Sequence, residues 1–236
     1  MRLRLTYLRA GLVLSLATLA TFILTFTASG TPQHVAEARF DGWGYVVVAD
    51  PDGFARAHVE FDRATAAQLH HYVAVNRALA HQVANSGQKD LSVTVSFRKP
   101  LSIDEFRDWA RKVPLRVSGY QLRIVAADGR RWTLGGAPQG TELVSTPDVQ
   151  RHLSNLAAKG ATDVRGIIVA EGVVDAAAYD QLANEPSVFV ADVTRSAAKA
   201  HIAKNVRGID QARLAVLVAP AFSWMEDLGL DNFQKD

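Results

Sequence analysis

The spacing of hydrophobic and polar positions changes several times along the chain, which separates predicted strands from predicted helices. Residues 45–49 and 55–61 are rich in apolar and β-branched residues and flank Asp-Pro-Asp-Gly, a sequence typical of a tight turn, so they predict a β-hairpin. Between residues 69 and 83 the apolar side chains recur at helical spacing. This spacing predicts a long helix that is capped by Asp62 and ends at residues 85–87.

The next segment predicts a strand, a helix and a second strand. Polar and apolar residues alternate over residues 92–97, which predicts a strand. Pro100 is expected to interrupt this strand because proline cannot donate a ladder hydrogen bond. Ser102 and Glu105 have the spacing of a capping box at the start of the helix. A hairpin over residues 117–134, with an Ala-Asp-Gly turn, follows the helix.

The same order recurs farther along the chain. Asp175 stands 73 positions after Ser102 and is expected to cap a second such helix, which a strand at residues 188–193 follows. An internal duplication and the shared physics of strand-helix-strand units both account for the pattern. A further helix is predicted between the two occurrences, over residues 146–159, where a threonine cap precedes proline and an acidic residue.

Two more elements complete the predicted domain. Residues 196–205 have the pattern of a short basic amphipathic helix, and the uninterrupted apolar part of residues 212–219 predicts a strand in the centre of a sheet. The whole predicts an α+β fold, in which an N-terminal transmembrane helix precedes an exported domain with ferredoxin-like split strand-helix-strand units. We expect residues 31–90 to hold the hairpin and the long helix, and residues 91–236 to form an α+β domain.

The first thirty residues predict the location of the protein. Arg2, Arg4 and Arg9 precede residues 10–28, a run of 19 residues without a charge. As a helix this run would reach roughly 28 Å, close to the ~30 Å hydrocarbon thickness of a bilayer. It predicts a bacterial single-pass membrane protein with a cytoplasmic N-terminus, a polar linker over residues 29–37 and an extracytoplasmic domain. The alternatives are a cleaved signal peptide, because small residues occupy positions 28–30, and a buried core helix.

Composition narrows the classes of function. The chain has 236 residues, of which 48% are hydrophobic, and it contains no cysteine. Disulfides, a thiol nucleophile and cysteine-ligated zinc are therefore excluded. Without its three N-terminal arginines the exported part has 23 basic residues against 24 acidic ones. This balance predicts no nucleic-acid partner.

Patterns for catalysis and metal binding are weak. His70 and His81 lie on the predicted long helix roughly 16 Å apart, too far for one metal ion. Ser196 and Lys199 match the Ser-x-x-Lys pattern of penicillin-binding enzymes, but residues 86–89 match it equally well and the companion motifs are absent. We therefore predict no catalytic residue, no metal and no cofactor.

One enzymatic alternative stays open. Asp163, Glu171, Asp175 and Asp180 could provide the paired carboxylates of a hydrolase, with Glu171 and Asp175 at its centre. The glycine-rich residues 135–140 lack the lysine and the helix start of a phosphate-binding loop, so they predict a flexible loop.

The C-terminal segment is the predicted interaction surface. Large apolar side chains left in water are unfavourable by about 1.5–3 kcal/mol each, so they dock either on their own domain or on another protein. The residues of this surface are Phe222, Trp224, Met225, Leu228, Leu230 and Phe233. We predict a non-catalytic extracytoplasmic domain that is anchored in the membrane through residues 10–28 and binds another envelope protein or itself. The alternatives are an extracytoplasmic hydrolase and an exported inhibitor or chaperone-like module.

Overall fold

The fold is α+β, as predicted, and the computed structural model describes residues 33–61, 65–157 and 160–227. The strands are β1 (Gln33–Phe40), β2 (Trp43–Ala49), β3 (Ala55–Phe61), β4 (Asp90–Leu101), β5 (Leu115–Ala126), β6 (Arg131–Gly136), β7 (Ala161–Asp175), β8 (Val188–Asp192) and β9 (Leu214–Val218). The helices are α1 (Ala66–Asn85), α2 (Ile103–Lys112), α3 (Thr146–Ala157), α4 (Tyr179–Ala183), α5 (Thr194–Asn205) and α6 (Ala221–Asp227). The predicted membrane anchor, residues 10–28, lies outside the described residues, and within them no helix is long and apolar enough to cross a bilayer.

The first sheet has the strand order β1-β2-β3-β9. The predicted hairpin of β2 and β3 is confirmed, β1 pairs antiparallel with β2, and β9 pairs parallel with β3. Two predictions were wrong here, because residues 33–37 belong to β1 rather than to a linker and the apolar run of residues 212–219 forms an edge strand rather than a central one. The edge position is possible because only Leu214 and Val216 of β9 are buried, which is the pattern of a strand with one packed face.

The second sheet has the order β6-β5-β7-β4-β8, and all its neighbouring strands are antiparallel. β7 separates β4 from β5, which α2 connects, and β4 separates β7 from β8, which α4 connects. β4 continues through Pro100 to Leu101, contrary to the prediction. Its pairing with β7 is irregular between Ser96 and Leu101, where Pro100 lies. A proline at such an irregularity leaves no ladder hydrogen bond unmade.

Both ends of the long helix α1 have identifiable caps. Thr65 caps its start, where the side-chain oxygen accepts a hydrogen bond from the Gln68 amide at 3.2 Å. The predicted cap, Asp62, lies outside the described residues and three positions before the observed one. The predicted end is confirmed, because Ser86 is the C-terminal cap and Gly87 follows it with φ 93°, a conformation that glycine adopts without strain.

The predicted capping box of α2 is confirmed. The Ser102 hydroxyl accepts a hydrogen bond from the Glu105 amide at 3.2 Å, and the Glu105 carboxylate accepts one from the Ser102 amide at 2.7 Å. The hydrogen bond from the Ser102 amide lowers the pKa of Glu105. The helix then buries Phe106 and Trp109 against Phe97 of β4. The polar residues at the start of this segment are therefore occupied by helix capping.

Replacing Ser102 with alanine should lower the free energy of unfolding by about 1 kcal/mol, because the Glu105 amide loses its acceptor. Chemical denaturation of the full chain measures this loss. Ser154, which is exposed on α3, provides the matched control, and Ser154→Ala should change stability by less than about 0.5 kcal/mol. Equal effects of the two substitutions would show that the capping box contributes nothing specific.

A single cluster of buried apolar residues joins the two sheets. It includes Tyr45 and Val47 of the first sheet together with Leu122 and Ile168 of the second. The predicted ranges 31–90 and 91–236 also share a sheet, since β3 comes from the first range and β9 from the second. Helix α5 packs between the sheets, against β3, β4 and β9.

Candidate functional site

The predicted C-terminal surface is only partly within the described residues. Phe222 and Met225 are 1% and 0% exposed and belong to the core of the domain. The Phe222 amide also donates a hydrogen bond to the Ser96 hydroxyl at 3.3 Å. These two residues therefore stabilise the position of α6 and present no surface to a partner. The side chain of Trp224 and the residues Leu228, Leu230 and Phe233 lie outside what the structure describes, and their role stays a prediction.

A buried ion pair also holds helix α6 in place. Glu226 accepts a hydrogen bond from Arg123 of β5 at 2.5 Å, and the two side chains are only 9% and 8% exposed. Arg123 donates a second bond to the Thr133 hydroxyl at 2.7 Å, and Arg131 lies 3.7 Å from the Glu226 carboxylate. Helix α6 directly follows β9, so this contact fixes the C-terminal end of that strand.

Among the described strands, the outer edge of β9 is the one without protection. Charged side chains, bulges or coverage by other elements commonly prevent an edge strand from pairing with another chain. β1 carries Glu37 and Arg39 and has an irregular register, β6 begins with Arg131, and β8 is buried at every position. β9 has the sequence Leu-Ala-Val-Leu-Val, with no charge, no proline and no bulge, and Leu217 is 44% exposed. This edge is therefore competent to pair with an extended segment.

A cavity of about 450 Å³ lies beside β9 and is lined on its other side by helix α5. Its size falls within the usual range of ligand-binding clefts. Leu214, Val216, Ala200 and Ala203 provide apolar surface, and the polar lining comes from Gln88, Ser92, Arg195, Ser196, Lys199 and Gln211. The cavity is therefore apolar along β9 and polar to cationic toward the start of α5.

Two cations belong to the lining of the cavity. Arg195 lies 3.4 Å from Glu171, whereas Lys199 forms no ion pair with any residue that the structure describes. The Arg195 Nε and Gln211 Oε1 atoms are buried without a hydrogen-bond partner, as is Arg123 Nε in the ion pair with Glu226. The cavity therefore carries one cation, Lys199, whose charge no described acidic residue offsets.

The start of α5 is fixed by a buried carboxylate. Asp192 is 2% exposed and accepts hydrogen bonds from the Tyr72 hydroxyl at 2.5 Å and from the Thr194 amide and hydroxyl at 2.8 and 2.6 Å. Asn76 accepts a further bond from the Val193 amide at 2.8 Å. Burial raises the pKa of Asp192, and it also raises that of Tyr72, which keeps its proton and acts as the donor. These contacts couple α1 to the helix that carries Arg195 and Lys199.

The structure places Ser196 and Lys199 in the wall of one cavity, as a serine hydrolase of the Ser-x-x-Lys type would require. However, the Ser196 hydroxyl accepts a hydrogen bond from the Ser92 amide at 2.9 Å and faces the Ser92 carbonyl oxygen at 3.3 Å. Ser196 thus joins α5 to β4, which is a structural role. The spacing of the pair is visible in the sequence, whereas the cavity around it depends on β9.

The acidic residues of the hydrolase alternative do not form one cluster around the cavity. Glu171 pairs with Arg195, and Asp175 caps the turn after β7 through the Ala177 amide at 2.9 Å. Glu171 and Asp175 stand four positions apart on β7, so their Cα atoms are roughly 13 Å apart, and their carboxylates have different partners. Asp180 lies 3.5 Å from His81 and Asp163 lies 3.8 Å from Arg165, both on the exposed surface.

The histidines of α1 also lie in separate places. His71 contacts Asp41 at 2.9 Å, His81 contacts Asp180, and His70 packs edge-on against Phe189. Within residues 33–61, 65–157 and 160–227, no group of three or more potential ligands could hold a metal ion.

Comparison with known proteins gives no relative of this chain. No protein-family profile, no curated protein and no solved structure matches it.

Proposed function

We propose that the protein is a membrane-anchored extracytoplasmic interaction domain that binds an extended segment of another envelope protein along the open edge of β9. The observation that carries the proposal is the unprotected apolar edge of β9, with Leu217 44% exposed. A strand added to such an edge gains main-chain hydrogen bonds, and its side chains alternate between the two faces of the sheet. The interleaved strand order of the second sheet also suits the ferredoxin-like units that we infer from the sequence.

The membrane anchor limits where the partner must be. Four residues connect Ala28, the end of the apolar run, to Gln33, and the five Cα-to-Cα steps of an extended chain cover at most roughly 18 Å. Gln33 pairs with Ala49, and the same end of the sheet continues through Ala55 to Leu214. Three strand spacings add roughly 15 Å. With the anchor in place, the start of β9 lies within roughly 33 Å of the bilayer, so the docked segment lies close to the membrane.

Photocrosslinking in the native membrane tests this proposal. A photoreactive residue at Ala215, which is exposed on β9, should form one prominent crosslink to an extended segment of a second protein. The same residue at Val35, exposed on the opposite edge strand β1, is the matched control and should not capture that protein. Adding Leu217→Lys should abolish the crosslink from Ala215, because a lysine on an edge strand opposes strand addition.

Other products of this experiment would contradict the proposal. Equal capture from Ala215 and Val35, or a crosslink that Leu217→Lys leaves unchanged, would remove β9 as the docking edge. A crosslink between two copies of the chain would assign the edge to self-association. A crosslink to residues 228–236 of the same chain would mean that the tail occupies β9.

A further inference from the structure

We propose that the cavity between α5 and β9 binds a carboxylate of the docked segment, so the partner segment is acidic. This inference rests on the proposed docking at β9. The side chains of Leu214 and Val216 form the wall of the cavity that belongs to β9. In a strand added beside β9, the side chains on that same face lie over the cavity, because strand side chains alternate between faces. One such side chain would therefore enter the space beside α5.

The charges of the lining select the group that enters. Arg195 and Lys199 line the cavity, and Glu171 offsets only Arg195. The Lys199 side chain is exposed and the Arg195 side chain is 33% exposed, so both cations are accessible to a group that enters the cavity. A carboxylate accepts charge-assisted hydrogen bonds from lysine and arginine. An acidic extended segment therefore complements the charge of this cavity.

The same observations favour a different protein over a second copy of this chain. The β9 strand of a second copy has the sequence Leu-Ala-Val-Leu-Val and brings no carboxylate to Lys199. Pairing of two such strands would also bring two cationic cavities to one interface, where like charges oppose association. A strand that carries aspartate or glutamate among apolar residues avoids both problems.

Selection from a displayed library of random twelve-residue peptides tests the inference. The full chain in lipid nanodiscs is the bait, and empty nanodiscs remove peptides that bind lipid. We expect enriched peptides to alternate apolar residues and to carry an acidic residue at one fixed position. Lys199→Glu should weaken the binding of these peptides by about tenfold or more, the effect of losing a hydrogen-bonded charge contact. A selection against this variant should enrich a basic residue in place of the acidic one. Lys204→Glu makes the same charge change on an exposed residue of α5 outside the cavity and should preserve the acidic preference.

The variants separate failure of this inference from failure of the proposed function. If Leu217→Lys abolishes binding while Lys199→Glu and Lys204→Glu have equal effects, the carboxylate pocket is overturned and the docking edge stands. If Lys199→Glu switches the preference from acidic to basic peptides while Leu217→Lys has no effect, the carboxylate pocket is upheld and docking along β9 is overturned. Enriched peptides without a fixed acidic residue would overturn the pocket outright. Thermal denaturation of each variant verifies that it is folded, and Ala215→Lys, at a second exposed position of β9, provides another way to block the edge.

Discussion

Glu226→Gln should lower the free energy of unfolding by about 3–5 kcal/mol, because it leaves the Arg123 guanidinium charged and uncompensated in a nearly closed site. The substitution preserves the volume of the side chain, so packing loss contributes little. Arg131, at 3.7 Å from the carboxylate, adds a second positive charge that would then lack its partner. Urea denaturation of the full chain measures the change.

An exposed ion pair provides the control for this prediction. Asp108 lies 3.4 Å from Arg111 on α2, with side chains 62% and 69% exposed, so Asp108→Asn should cost less than about 1 kcal/mol. Replacing both members of the buried pair, Arg123→Met with Glu226→Leu, should recover much of the loss, because an apolar pair avoids the buried charge. If Glu226→Gln were no more destabilising than Asp108→Asn, the ion pair would not be what holds α6 against β5.

Tyr72→Phe should lower the free energy of unfolding by about 1.5–3 kcal/mol, because the buried Asp192 carboxylate loses a hydrogen-bond donor. Since the Tyr72 hydrogen bond lowers the pKa of Asp192, its removal should raise that pKa further. The effect on stability should therefore be larger at neutral pH than at acidic pH, where the carboxyl group carries its proton. Tyr72→Phe also displaces the start of α5 and should weaken the binding of acidic peptides.

The contribution of Asp192 to the free energy of unfolding should fall as the pH rises. Burial raises the pKa of Asp192, so the folded protein holds this proton more tightly than the unfolded chain does. The contribution to stability is therefore complete below the unfolded carboxyl pKa of about 3.9, and it falls as the pH rises through the higher folded value. Asp192→Asn should remove this part of the decline, as measured by denaturation midpoints across the acidic and neutral range. A variant whose stability falls with pH as steeply as that of the unmodified chain would contradict the assignment.

The sequence was informative where a few adjacent residues determine the structure. This holds for the capping box of Ser102 and Glu105, the turn between β2 and β3, and the end of α1 at Gly87. Predictions from the sequence were wrong where contacts between distant segments determine the structure. The apolar sequence of β9 is compatible with a central strand, and only its pairing with β3 and the packing of α5 make it an edge with one packed face. β1 is similar, because its pairing with β2 turns a polar segment into a strand.

The candidate site was largely beyond sequence reasoning for the same reason. Ser196 and Lys199 match a catalytic motif, whereas Gln211 and the residues of β9 match none. The cavity forms only because residues from β4, α5 and β9 meet, and these elements are far apart in the chain. The apolar C-terminal residues were a genuine signal of packing, and Phe222 and Met225 provide that packing within the domain.

Amide hydrogen exchange of the full chain, with and without the protein that crosslinks to Ala215, tests strand addition at β9 most directly. We predict slower exchange in β9, residues 214–218, and in the adjacent part of α5, with little change in β1. Leu217→Lys should remove this protection. Protection confined to another surface, or unchanged exchange in β9 with the partner bound, would contradict strand addition at this edge.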